Sequence, residues 1–363
     1  MKLIVSQKNL RRALGIVERV VSKNVSLPIL SNILLKTEQG RLKIATTNLE
    51  IGTNVLIGAK IEEVGEIAIP GRIMGDFINN LYVDNITLTT KNNSLFIQAE
   101  HIKTKILGFD TKEYPIIPRI KEGPIAVLEA KILKNAFATI FDSIAVSETR
   151  PELAGLFLQF KPDKLILAAT DSFRLTEKII YLKSNHNQSI IIPKNTVAEL
   201  IRISGEAQGD IEIRISDNQV SFTGEDFELL SRLIDGSYPD YSKVIPEKFV
   251  AKALVETQLL EQNIRLAGLF SSSISDVKIE CKEEEMTISA KNSDKGEVET
   301  AVPAVLKGEP FEISLNFHYL LDGLKIMNSD KAVIEFSGSG SPLVIRPAQE
   351  KNELVYLIMP LRN

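Results

Sequence analysis

Few residues in this chain have types and spacing suited to covalent chemistry. His101, His186 and His318 are its three histidines, one in each third of the sequence, and they lack metal-ligand spacing. Cys281 is the single cysteine, which excludes an internal disulfide and leaves no cysteine cluster for zinc, and no nucleophile motif surrounds it. Residues 338–342 (GSGSP) pair glycines without the strand, GxGxxG and helix order that cradles a phosphate, and read as a turn. Thr170-Asp171-Ser172 could present a catalytic hydroxyl. Its counterparts Thr47-Asn48 and Asn292-Ser293 repeat the pattern without the chemistry, so a turn is the better reading there too. No catalytic residue, metal or cofactor is expected.

Binding chemistry is better represented, and it sits on helices. Counted at about 100° per residue, the first helix puts Leu10, Ala13, Leu14, Val17, Val20 and Val21 on one side and Lys8, Arg12 and Arg19 on the other. The second third brings Lys131 and Lys134 together, and the last sets Arg265 opposite Leu260, Ile264 and Ala267. A single basic helix face is usually just solvated. Across six helical windows, however, the charge is +5 in a chain of net −4, which leaves −9 for everything else. Such segregation suits a polyanion held by the helices and excluded elsewhere.

The elements that must position these residues recur. Residues 42–55 (LKIATTNLEIGTNV), 165–178 (LILAATDSFRLTEK) and, more weakly, 286–299 (MTISAKNSDKGEVE) share a strand, polar turn, strand plan. Tyr114-Pro115 returns as Tyr238-Pro239 after 124 residues, and helix-like runs begin near Arg72, Lys194 and Phe317 at steps of 122 and 123. A step this long exceeds the ~20–50 residues of a solenoid unit. Three domains are therefore expected, at 1–120, 121–248 and 249–363, joined by the short linkers KEGP (121–124) and PEKF (246–249). Each third reads as a strand, an amphipathic helix, short strands, a second helix and further strands. With alternating β-branched runs at 209–220 and 330–338, the class is α+β with antiparallel sheets. The composition, 44% hydrophobic and 25% charged, is that of an ordinary globular protein. The opening MKLIVSQKNLRR lacks a signal-peptide core, and no run approaches the ~18 apolar residues of a membrane span. A cytoplasmic location with no membrane partner is expected.

The opening MKLIVSQKNL, LPILSNILL from Leu27, AATDSFRLTEK from Ala168, DGSYPDYSKVIP from Asp235 and the closing YLIMPLRN from Tyr356 together resemble the bacterial sliding clamp, the beta subunit of DNA polymerase III. The resemblance runs the full length in order. It implies three repeated domains of the DNA-clamp type in a ring-shaped homodimer, with helices lining a central hole and antiparallel sheets outside. Geometry gives a separate reason for two chains. A domain of this size is ~35 Å across, so three touching spheres leave a hole of ~5 Å and six leave ~35 Å, against about 20 Å for duplex DNA. The implied role is that of a non-catalytic processivity factor. It would encircle duplex DNA without reading its sequence and tether the replicative polymerase.

The resemblance also implies sites. Lys8, Arg11, Arg12, Arg19, Lys131, Lys134, Lys194, Arg202 and Arg265 become phosphate neighbours, and Lys23 and Arg150 sit in loops that approach the duplex in the family. Pro151 and Glu152 stand where some relatives carry paired aromatics, and Asn24 where some carry Arg, so DNA contacts should be weaker or differently distributed. A partner-peptide cleft is implied at Leu153, Thr170, Ser172, Phe173, Arg174, Leu175, Pro239, Val244, Pro342, Leu357, Ile358, Met359, Pro360, Leu361 and Arg362. An apolar groove with an adaptable Met suits a short motif with Leu and Phe anchors, through which the DNA polymerase III alpha subunit, the clamp loader and repair polymerases would dock. Phe173 and Ser172 replace the His and Gly of well-known relatives, which shifts the expected peptide preference. A head-to-tail dimer would join Thr104, Lys105 and Ile106 of one chain to Leu269 and Phe270 of the next. The alternative from another class is a three-domain enzyme with an interdomain active site.

Overall fold

The computed structural model describes residues 1–21, 27–147, 149–184, 186–349 and 353–361, so Lys23, Asn24 and Arg362 lie outside the described residues. Six α-helices occur among them: α1 (Gln7–Val17), α2 (Gly71–Asn79), α3 (Ala130–Phe141), α4 (Lys194–Glu206), α5 (Thr257–Gly268) and α6 (Phe317–Ile326). Each third enters its helices the same way. The strands Lys2–Ser6, Ala126–Glu129 and Ala251–Glu256 run straight into α1, α3 and α5, and Glu66–Pro70, Gln188–Pro193 and Phe311–Asn316 run into α2, α4 and α6. Pro70 and Pro193 close two of those strands, at helix entries where a missing N–H costs nothing. Asn316 closes the third and caps α6, its side chain accepting from the His318 N–H at 2.9 Å.

Amphipathic spacing determines what the helices bury. Leu10, Ala13, Leu14, Ile16 and Val17 of α1 are buried, each large aliphatic side chain contributing about 1.5–3 kcal/mol. The helix stops at Val17, earlier than the apolar stripe suggests. A tighter 3-10 turn, Glu18–Val20, carries the stripe on and still buries Val20. In α5, Leu260, Ile264 and Ala267 are buried and Arg265 is exposed, as the spacing predicts. Two glycines allow close packing around α6. A Cβ on Gly268 would meet the Phe317 ring at 2.7 Å, and one on Gly323 would collide with the Tyr356 ring.

The chain packs as two compact units, Met1–Lys134 with Asn195–Leu233, and Asn135–Lys194 with Ile234–Asn363. Each holds one twelve-stranded antiparallel sheet. In the first unit the long strand Ile51–Glu63 pairs with Arg41–Thr47 on one edge, and with Phe227–Arg232 and then Lys2–Ser6 on the other. In the second, Arg174–Tyr181 pairs with Lys164–Thr170 and with Leu354–Ile358. The last strand of each later third thus closes on the preceding third, with Phe227 opposite Val55 and Ile358 opposite Arg174. Among the described residues the edge strands Glu66–Pro70, Ala126–Glu129, Gln188–Pro193 and Phe311–Asn316 each run into a helix, and two further edges do not. Strand Ile102–Leu107 pairs only with Ser94–Ala99, and residues 296–301 of strand Gly296–Gly308 pair only with Glu285–Asn292.

Candidate functional site

The repeated turn is built the same way in the first two thirds. In the first, Thr47 Oγ donates to Ile51 O at 3.0 Å and accepts from Leu49 N–H at 3.0 Å, while Asn48 Oδ1 accepts from Glu50 and Ile51 N–H at 3.0 and 2.7 Å. In the second, Thr170 Oγ donates to Arg174 O at 2.7 Å and accepts from Ser172 N–H at 3.1 Å, while Asp171 Oδ1 accepts from Phe173 and Arg174 N–H at 3.0 and 2.9 Å. Leu49 and Ser172 adopt matching left-handed backbones, φ 76 and 77°. The Thr hydroxyl and the Asn or Asp carboxamide or carboxylate oxygen thus hold the turn in both thirds.

What differs is the chemistry the turn carries. Ile51 is core, whereas Arg174, its counterpart, is a hub. Its side chain is only 13% exposed, and its Nε meets Asp171 Oδ2 at 3.0 Å. Its other nitrogens reach Asp322 of α6 and the carbonyl of Asp142 just past α3, and its guanidinium lies 4.7 Å from the Tyr319 ring. Burial works against the charge, but Tyr356, Asp322 and Asp171 more than offset it, so the Arg174 pKa is raised.

Beside this turn, within the second unit, lies a cavity of about 230 Å³. Of the residues expected there, Leu153, Thr170, Ser172, Arg174, Leu175, Pro239, Val244, Leu357 and Met359 line it. Its apolar floor is the buried cluster of Leu175, Val344, Val355 and Leu357, with Tyr241, Ile245, Phe249 and Met359 packed on it. Phe173, Pro342, Pro360 and Leu361 are absent from the lining. Phe173 and Leu361 serve instead to seat the tail, Met359 N–H donating to Phe173 O at 2.8 Å and Leu361 N–H to Ser314 O at 2.9 Å. Ile358 needs correcting. Strand alternation turns it away from the cavity into the core of the last third, where it is fully buried.

Three lining residues were missed as such: Arg150, expected near DNA, and Asp240 and Tyr241. Tyr241 forms a wall, its hydroxyl donating to Glu177 Oε2 at 2.7 Å and its ring edge-on to Phe157 and Tyr238. Burial first, then Glu177, pushes its pKa upward, so it stays a neutral donor. The aromatic spacing of Tyr238 and Tyr241 around Pro239 was the available signal.

The basic residues separate by what they touch. Lys8, Arg19, Lys131 and Lys134 are exposed and form no ion pair among the described residues. Arg11 is exposed with Nε donating to Asn79 at 3.1 Å, Arg12 pairs with Asp226 at 2.9 Å, and Arg265 pairs with Glu261 at 2.5 Å. Arg150, also exposed, donates from Nη1 to Ser172 Oγ at 3.5 Å and from its backbone N–H to Ser147 Oγ at 3.2 Å. Two residues are committed elsewhere. Arg202, 16% exposed, holds Glu199 at 2.7 Å and donates to the carbonyls of Gly15 and Ile16 at 2.8 and 2.7 Å. It satisfies the unpaired acceptors that every helix C-terminus leaves, here those of α1. Lys194 donates to Ile144 O at 2.7 Å, 5.3 Å from the centre of the Phe141 ring, and burial lowers its pKa.

Comparison with known proteins places this architecture. The DNA polymerase III beta subunit family matches with its N-terminal domain at residues 1–118, its central domain at 127–240 and its C-terminal domain at 242–362. The chain belongs to the DNA polymerase III beta-subunit family. The beta sliding clamp of Staphylococcus aureus is 28% identical over 357 residues, 95% of this chain and 94% of that one. The crystal structure of the DNA polymerase sliding clamp from Bacillus subtilis matches at 27% identity and TM-score 0.95, covering 100% of this chain and 99% of that one. A Bartonella birtlesii sliding clamp bound to griselimycin matches at 28% identity and TM-score 0.94, covering 100% of both chains. This family member is a DNA sliding clamp of DNA polymerase III, a processivity factor in DNA replication. Its mixed helix and antiparallel-sheet fold is that of the solved clamps.

Proposed function

We propose that two copies of this chain close head to tail into a ring that slides on duplex DNA and holds replication and repair proteins by short peptide motifs. The observation that carries the reading is the pair of strand edges, Ile102–Leu107 and residues 296–301, that do not lead into an α-helix. Final strands close on the preceding third twice within the chain, and a third such joint needs Ile102–Leu107 of one copy against residues 296–301 of another. Charge supports this pairing, because the first edge carries Lys103 and Lys105 and the second Glu297 and Glu299. Leu269, 64% exposed at the end of α5, would add apolar contact, together with half-buried Phe270. Thr104 and Lys105 are accessible, whereas Ile106 is 6% exposed and would contribute its backbone.

Lys8, Arg11, Arg19, Lys131, Lys134 and, through exchange of their carboxylate partners, Arg12 and Arg265 are the candidate phosphate neighbours. Loose contacts of this kind permit sliding, and topology supplies retention. The cavity beside Arg174 would take the Leu and Phe anchors of a motif of the Gln-Leu-x-Leu-Phe type, borne by the polymerase alpha subunit, clamp loader and repair polymerases. No chemical step is assigned to the chain. Burial pushes the Cys281 thiol up to about 11, which fits a packing role. Among the described residues no helix is long and apolar enough to cross a membrane, and action on cytoplasmic DNA accords with this. The test pairs solution mass with retention on nicked circular DNA. A dimer retained on circles and lost on linearisation is expected, and retention indifferent to DNA ends would overturn the ring.

A further inference from the structure

We propose that Phe173 and Tyr319 form an aromatic subsite beside the docking cavity, which makes a ring-bearing residue next to the Leu and Phe anchors a determinant of partner choice. This rests on the reading of the cavity as the peptide cleft. Phe173 is 60% exposed, the most of any Phe among the described residues. Its position is rigid. The ring projects from the turn whose N–H groups bind Asp171 Oδ1, and its own carbonyl accepts from Met359 N–H. It lies nearly parallel to the Tyr319 ring, at 20°, with centroids 6.5 Å apart, against 4.8 Å for the tight Phe157–Tyr238 stack. Much of its face is therefore uncovered, while Tyr319 is held by the Arg174 guanidinium.

The chemistry of the occupant follows from charge. Arg174 is consumed by Asp171, Asp322 and the Asp142 carbonyl, so the guanidinium beside the rings offers an incoming carboxylate nothing. A preformed aromatic surface whose adjoining guanidinium, that of Arg174, is already paired favours another ring, through offset or edge-on stacking. Ser172 and Arg174, the neighbours of Phe173 in the chain, both line the cavity, so the subsite adjoins the anchors.

The test uses Gln-Leu-Ser-Leu-Phe and versions lengthened by one residue, Trp or Leu, at either end, titrated into the full-length chain. The protein contains no Trp, so peptide fluorescence reports the ring's surroundings directly. At one end Trp is expected to bind roughly three- to tenfold more tightly than Leu, with a shifted emission. In Phe173→Ala and in Tyr319→Leu the ratio should fall to within about twofold, each variant being checked for an unchanged thermal transition. Equal affinities for Trp and Leu at both ends, or a ratio that survives both substitutions, overturns the subsite while leaving the cleft intact. Failure of the unextended pentapeptide to bind the wild-type chain overturns the cleft and the subsite together.

Discussion

Replacing Arg174 by Met should be costly, and replacing Asp171 by Asn should not. In Arg174→Met the side-chain volume is roughly kept, but Asp171 and Asp322 lose their shared cation and the Asp142 carbonyl loses a donor. Removing one partner of a buried pair costs about 3–5 kcal/mol. Asp322 is 37% exposed and Asp171 keeps two backbone donors, which brings the expected loss to about 2–3 kcal/mol. At about 2–4 °C per kcal/mol for a unit of this size, melting should fall by roughly 4–12 °C. Asp171→Asn recreates what the first third already uses, since Asn48 holds the same turn through the same oxygen. Arg174 then retains Asp322, and the loss should stay under about 1 kcal/mol. Calorimetric melts of the two variants decide the matter, with titration of the pentapeptide expected to show the larger affinity loss in Arg174→Met. Equal losses in the two variants would refute the ion-cluster reasoning, because the turn alone would then be what matters.

Substituting Lys8, Arg19, Lys131 and Lys134 by Ala should weaken retention on circular DNA at unchanged stability, with a salt slope shallower by about 0.9 per lost phosphate contact. Arg202→Ala should do the reverse, lowering melting by the roughly 1.5–3 kcal/mol of its charged hydrogen bonds to α1 and leaving the salt slope alone. Reversing Glu297 and Glu299 to Lys should give monomers by light scattering, and mixing with a Lys103→Glu, Lys105→Glu chain should restore dimers. In the first unit, burial raises the Glu38 pKa, but Lys43 and Arg119 outweigh it and hold the carboxyl below its ordinary 4.5. That contribution is complete above pH 4.5 and disappears as pH falls through the lowered value, so Arg119→Ala should flatten the acid limb of the melting curve.

The threefold plan was legible because each third repeats its strand-to-helix entries and its polar turn in the sequence itself. Register was not. Nothing in YLIMP states that Leu357 and Met359 reach the cavity while Ile358 faces the core, since that follows from pairing with Arg174–Tyr181. Arg202 was misread for a related reason. Helical periodicity reports the direction of a side chain from its own axis, and the α1 carbonyls that claim this one lie 186 and 187 residues away in sequence. Tyr241 escaped notice because its role comes from Glu177 and Phe157, on strands distant in the chain.

One turn geometry carries two different sets of side chains, one apolar and one polar. Leu27 and Arg150 both precede a Pro-initiated 3-10 turn, with φ,ψ of −132, 82° and −130, 74°. Leu49 and Ser172 share the left-handed position, and Ile116 and Asp240 each follow a Tyr-Pro pair. At every one of these positions the first third has a hydrocarbon where the second has a polar group. The backbone tolerates either set, because the Thr and Asn or Asp side chains that define the turn are kept in both. At the floor, the first third has Gly52 under the side chain of Ile117, a Cβ there meeting it at 2.8 Å, whereas the second has Leu175 in an open groove. The cavity of the second third therefore differs from its counterpart in the first by side-chain exchange on a preserved frame, with Arg174 in the place of Ile51. Arg174 ties Asp322 of α6 and the end of α3 to the turn, and so fixes one wall of the cavity, the preorganisation that the proposed docking role would use.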